Sequence, residues 1–138
     1  MSLNCRYCIC IPVYNNPETI KNVILDCLQQ TNLPIIVVDD GSDTPVENQI
    51  MNSSHDDHLT GSLNIQQRIL LQERVRYVRH PLNEGKGSAL ITGFKTAVAS
   101  DFTHMISIDA DSQHFAQDIE KLLQRSQENP WSLVIGER

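Results

Sequence analysis

Two aspartates separated by a single residue, Asp109 and Asp111, follow the short apolar run Met105-Ile-Ser-Ile108. At that spacing, just beyond a strand, two carboxylates can be aimed at one hard cation whose other positions stay open to water and phosphate oxygens, a donor set that selects Mg²⁺ or Mn²⁺. Asp-x-Asp alone is a weak signal, because loop starts are rich in Asp that caps the following helix. A second cluster adds weight. Asn83-Glu-Gly-Lys-Gly87 immediately precedes a helical stretch, and backbone N–H donors, a positive helix end and the Lys86 ammonium together suit a diphosphate. This loop is not a Walker A sequence, since His80 stands where the first glycine would be, and it lacks the third glycine of the dinucleotide fingerprint. A plain turn requiring positive φ is the competing account of Gly85 and Gly87.

The elements that must position these groups alternate along the chain. Tyr7–Val13, Pro34–Val38, Val75–Arg79, Met105–Ile108 and Ser132–Ile135 read as strands, the first two apolar enough to be buried on both faces. Pro17 opens a helical stretch with Ile20, Val23, Ile24, Cys27 and Leu28 on one stripe. Further helices are predicted over Ile65–Glu73, over Ser88–Ala99 with an apolar face of Leu90, Ile91, Phe94, Ala97 and Val98, and around Ile119, Leu122 and Leu123 before Pro130. Thr44–Asn64 is polar and poorly periodic and is expected to be an insertion with at most short helices; its His55, Asp56, Asp57 and His58 read as solvated side chains rather than a second metal site.

Strand–helix alternation predicts an α/β fold with a largely parallel sheet. In such sheets ligands collect beyond the carboxyl ends of the strands, and here those ends carry Tyr14-Asn15, Asp39-Asp40, Asn83–Gly87 and Asp109–Asp111.

Composition sets the outer bounds. The 138 residues carry 11 Lys and Arg against 17 Asp and Glu, a net charge of −6 that argues against an electrostatic grip on nucleic acid or anionic lipid. Aromatics are 5% of the chain, too few for a base-stacking platform. No apolar run approaches the roughly 18 residues of a membrane span, and Met1–Arg6 lacks the features of a signal peptide, so a cytoplasmic chain without a transmembrane segment is expected. Cys5 and Cys8 form a CxxC without a second pair, lying inside a strand rather than at a helix start; Cys5, Cys8, Cys10 and Cys27 are expected as reduced, mostly buried thiols.

Four ordered strings, Ile11-Pro-Val-Tyr-Asn15, Val37-Val-Asp-Asp-Gly-Ser42, Asn83-Glu-Gly-Lys-Gly-Ser-Ala-Leu90 and Ile108-Asp-Ala-Asp-Ser-Gln-His114, resemble the inverting nucleotide-sugar glycosyltransferases of family 2, which have the Rossmann-like GT-A fold. The resemblance implies that Pro12, Tyr14 and Asn15 line a base pocket, that Asp40 accepts a hydrogen bond from the nucleobase, that Lys86 contacts the donor, and that Asp109 and Asp111 hold a metal on its diphosphate. The Asp-Ala-Asp-x-Gln-His form is similar to that of polyprenyl-phosphate sugar synthases, which implies Gln113 as a third oxygen ligand and leaves His114 as a residue that supports the ligands or starts the next helix rather than a ligand itself.

The implied reaction is transfer of a hexosyl-type sugar from a nucleotide-diphospho-sugar, with inversion, to an acceptor such as a lipid phosphate or a saccharide, in the cytoplasm or at the inner face of the membrane. No catalytic base is assigned in 1–138, because the resemblance puts it further along, in an acceptor half; the chain is expected to be a single donor-binding domain truncated before that half. Alternatives are a nucleotide-sugar-binding fragment without turnover, and a nucleotidyltransferase, whose glycine-rich loop would normally follow the first strand. A signalling receiver domain fails on order, since its acidic pair would follow the first strand rather than the second.

Overall fold

The computed structural model describes residues 4–51, 63–111 and 118–135. Four parallel strands, β1 (Tyr7–Val13), β2 (Ile35–Asp39), β3 (Val75–Arg79) and β4 (His104–Ser107), lie in the order β3-β2-β1-β4. Strands β1 and β2 are buried along their whole length, as their apolar runs require of a sheet covered on both faces. The helices are α1 (Ile20–Gln30), α2 (Val46–Met51), α3 (Ile65–Arg74), α4 (Lys86–Ala99) and α5 (Ile119–Glu128).

One face of the sheet carries the larger core, in which Ile9, Ile11 and Val37 meet Ile20, Ile24 and Cys27 of α1, Ile50 of α2, Leu71 of α3 and Ile119 of α5. The other face is thinner: Cys8, Cys10, Ile36 and Val38 pack against Ala89 and Ala97 of α4. Local chemistry sets the boundaries. Asn64 and Gln67 form a reciprocal capping box at the start of α3 (2.8 and 3.0 Å). At its other end Arg74 donates to the carbonyls of Leu28, Thr31 and Leu33, closing the exit of α1.

Three expectations need correction. The buried stripe of α4 is Ala89, Gly93 and Ala97, whereas Ile91, Phe94 and Val98 are exposed. The reason is clearance: a Cβ on Gly93 would stand 2.5 Å from Cys10 Sγ, so the helix lies too close to β1 for large side chains to face inward. Ser132–Ile135 forms no strand: among the described residues none pairs with this segment, and Leu133 and Ile135 are exposed. The first helix begins at Ile20, three residues after Pro17, once the turn at Asn16–Thr19 has closed. Within the polar insertion α2 is the short helix anticipated; His55, Asp56, Asp57 and His58 lie outside the described residues.

Candidate active site at the strand-order reversal

Register brings the polar ends of the strands to one level. Val13 is paired with Asp39, and Asp39 with Arg79, so the next residues, Tyr14, Asp40 and His80, leave the sheet side by side. Strand order runs from β1 through β2 to β3 on one side and reverses to β4 on the other, which places a crevice between the exits of β1 and β4. A cavity of about 320 Å³ lies there, lined by Pro12, Tyr14 and Asn16 from the β1 exit, Asp40 from the β2 exit, Asn83 and Gly85 from the loop into α4, Lys86 from its first turn, and Asp109–Asp111 from the β4 exit. Its size falls within the range of small-ligand sites.

Each wall is held by identifiable bonds. The Thr19 hydroxyl donates to the Ala110 carbonyl (2.8 Å), and Ile108 N–H donates to Cys10 O (2.9 Å), fixing the Asp109–Asp111 corner against β1 and α1. Lys86 in the first turn of α4 forms an ion pair with Asp109 across the cavity; both side chains are partly exposed. Gly41 sits at φ +78° with the Leu82 and Asn83 backbone within 2.7 Å of where a Cβ would be, so only glycine lets the two loops meet.

The adjacent aspartates Asp39 and Asp40 have divided roles. Asp39 accepts from the Ser42 (2.9 Å) and Val46 (3.0 Å) amides and from Arg79 (2.6 Å), and so builds the turn into α2. Burial alone would raise its pKa, but the donors of Val46, Ser42 and Arg79 outweigh burial and hold it below the usual carboxylate range. Asp40 is 3% exposed and accepts from the amides of Glu84 (2.9 Å) and Gly85 (2.8 Å) and from His80 Nδ1 (2.7 Å). There too burial pushes the pKa up and the donors of Glu84, His80 and Gly85 bring it below the ordinary value.

Of the residues singled out in the sequence, Pro12, Tyr14, Asp40, Lys86, Asp109 and Asp111 line this one cavity. Asn15 does not line it: at φ 50° it spends its side chain on the Asp43 amide (2.9 Å) and its own amide on the Ser42 hydroxyl (3.0 Å), and Asn16 takes its place in the wall. Gln113 and His114 lie outside the described residues. Sequence reasoning noted His80 only as the residue standing where a Walker A glycine would be and gave it no role in the site; it is buried beside Asp40.

Among the described residues, two groups of side chains could hold a cation. Asp40, His80 and Glu84 offer ligand atoms within 4.8 Å of one another. His80 Nδ1 and Asp40 Oδ1 are, however, already joined by a hydrogen bond, and that Asp40 oxygen also accepts from the Glu84 amide. Asp109 and Asp111 are all-oxygen donors at the cavity wall, which suits Mg²⁺ or Mn²⁺.

The family model for glycosyl transferase family 2 matches residues 8–138. The chain belongs to that family. Among its relatives, a UDP-N-acetylglucosamine–dolichyl-phosphate N-acetylglucosaminyltransferase of Methanococcus voltae is 30% identical over 128 residues, 93% of this chain and 50% of the relative. A dolichol-phosphate mannosyltransferase of Pyrococcus furiosus is 30% identical over 133 residues, covering 94% of this chain and 32% of that protein. The family 2 chain thus spans half or less of the length of these relatives. In fold it is similar to Staphylococcus aureus TarS, with a TM-score of 0.59 at 19% identity, over 89% of this chain and 20% of that one. The α/β GT-A arrangement expected from the four motifs is the one found.

Proposed function

We propose that this chain carries the donor site of an inverting transferase that moves a sugar from a nucleoside diphosphate to a polyprenyl phosphate, with the chemistry in the cytoplasm or at the inner membrane face. The observation that carries the reading is the convergence of Pro12, Tyr14, Asp40, Lys86, Asp109 and Asp111, drawn from four separate segments, around one cavity. The two relatives named for dolichyl or dolichol phosphate support the acceptor class. Among the described residues no helix is long and apolar enough to cross a membrane.

In this reading Tyr14 and Pro12 flank the base, Asp40 accepts a base N–H, and the Lys86 ammonium meets the diphosphate. Asp109 and Asp111, with Gln113, would hold Mg²⁺ or Mn²⁺, which when bound supplies positive charge against the departing diphosphate. An acceptor phosphate oxygen attacks the anomeric carbon from the face opposite the leaving group, the bond to the diphosphate oxygen breaks, and its electron pair leaves with the nucleoside diphosphate. A phosphate monoester has a second pKa near ~6 and is an oxyanion at neutral pH, so this acceptor needs no protein base. That chemistry agrees with a cavity whose described carboxylates have other tasks in this reading, Asp40 bonded to the loop amides and Asp109 and Asp111 directed to the metal.

Calorimetric titration with UDP and with GDP, each with and without Mn²⁺, tests the reading. One nucleotide is expected to bind in a metal-dependent way, and Asp111→Ala to weaken it by about tenfold or more, a loss of roughly 1.4 kcal/mol. A folded chain that binds neither nucleotide would remove the donor site from consideration.

A further inference from the structure

We propose that His80 is a positioning residue of the donor site, clamping the Asp40 carboxylate and, through it, the backbone that presents Lys86. The inference rests on the donor-site reading for its consequence but on hydrogen bonds alone for its mechanism. His80 is 7% exposed, and both ring nitrogens are used: Nδ1 lies 2.7 Å from Asp40 Oδ1 and Nε2 lies 2.7 Å from the Thr92 hydroxyl of α4. Nδ1 also faces Glu84 Oε2 at 3.1 Å. The ring therefore joins the exit of β2, the loop into α4 and the second turn of that helix.

Lone-pair arithmetic shows what the clamp does. A carboxylate offers about four acceptor positions, two on each oxygen. Asp40 Oδ1 accepts from the Glu84 amide and from His80, which fills it; Oδ2 accepts from the Gly85 amide, leaving one position on a side chain that lines the cavity. A single directed acceptor is a specificity element, because a ligand group that cannot donate leaves it unpaired. Since the donors around Asp40 hold its pKa below the ordinary value, the ionised carboxylate can only accept, so Nδ1 carries a ring proton and donates to it, while Nε2 pairs with the Thr92 hydroxyl. Without the Nδ1 proton, Oδ1 regains a lone pair, the carboxylate can swing, and the amides of Glu84 and Gly85 lose the geometry that starts α4 at Lys86.

Two substitutions separate the ring nitrogens. In His80→Asn the side-chain amide stands close to where Nδ1 was and can still donate to Asp40; in His80→Gln it reaches toward Nε2 and Thr92 instead. We expect H80Q to weaken Mn²⁺-dependent nucleotide binding by about tenfold and to speed hydrogen exchange at the Glu84 and Gly85 amides by a similar factor. H80N should keep both within about threefold of the parent, and binding of Mn²⁺ alone should be unchanged in either variant. Equal losses in H80N and H80Q that merely follow a fall in melting temperature would overturn the proposal, as would unaltered Glu84 and Gly85 exchange in H80Q. So would weakened binding of Mn²⁺ alone, which would make Asp40, His80 and Glu84 a metal site instead. The exchange measurement needs no nucleotide, so it judges the clamp even if the parent chain binds neither UDP nor GDP, the outcome that would defeat the donor-site reading.

Discussion

Lys86 stands between two tasks. Its ammonium pairs with Asp109 while it lies beside the cavity that the proposed diphosphate would enter. In the proposed site a divalent ion arriving at Asp109 and Asp111 would compete with that ammonium, and Lys86, once released, would be free to meet phosphate oxygens. Lys86→Ala should therefore shift two affinities in opposite directions. Because the pair is largely exposed, its loss is worth only about 0.2–1 kcal/mol, so Mn²⁺ alone should bind up to about fivefold more tightly. Nucleotide in the presence of Mn²⁺ should bind about tenfold more weakly, for want of a charge-assisted bond to phosphate. Free Mn²⁺ followed by electron paramagnetic resonance, beside calorimetry with nucleotide, reads both numbers; movement of the two in the same direction would rule out the exchange of partners. The sequence announced Lys86, Asp109 and Asp111 because each sits in a short motif at a strand or helix end. It was silent on the role of His80, which depends on partners 40 residues before it and 12 after it. Nor did it foretell the backbone of Asn15, which has a positive φ and whose side chain accepts from the Asp43 amide.

At the scale of elements, the four strands of the sheet were legible because each is a short apolar or alternating segment followed by turn chemistry, and β1 and β2 are buried at every position. The face of α4 was not. Helical periodicity favours the stripe with the largest side chains, but contact with the sheet is decided by how near the backbone comes, and here small residues set the distance. Gly93→Ala tests this. Alanine gains about 1 kcal/mol of helix propensity over glycine, but its Cβ would meet Cys10 Sγ at 2.5 Å, and overpacking of this kind costs about 1–3 kcal/mol. The net expectation is a loss of about 1 kcal/mol in urea denaturation. Pairing it with Cys10→Ala removes the obstructing sulfur, so the double variant should be more stable than the sum of the single losses requires. Strict additivity would mean that the helix shifts outward freely and that the close approach is not a constraint.

The whole molecule is a sheet between two unequal cores, and both contain cysteine. Cys8 and Cys10 lie in the thin layer under α4, Cys27 in the thicker layer under α1, and all three are fully buried. Burial pushes the thiol pKa up, to about 11 for Cys8 and about 12 for Cys10 and Cys27, from an ordinary 9.0. In Cys10 the neighbouring Cys8 adds to the rise, and in Cys27 Asp26 adds to it while Arg74 opposes it. The sign of the consequence follows from proton counting. Below pH 9 both folded and unfolded thiols are protonated, and the stabilisation is fully present. Between pH 9 and the folded values the unfolded chain has lost protons that the folded chain keeps, so stability falls as pH rises, by on the order of 1 kcal/mol per pH unit for each thiol. Tyr77, raised chiefly by burial, steepens the decline from its own higher starting value. Urea midpoints measured from pH 8 to 10.5 under reducing conditions should be level at first and then drop. The growing negative charge of a chain already at −6 also weakens the folded state in this range, so the slope needs a control. Cys27→Ala provides it: the cavity lowers stability at pH 8, but the decline above pH 9 should be visibly shallower than in the parent. Parallel slopes in the two proteins would assign the alkaline loss to general charge repulsion and deny the buried thiols any part in it.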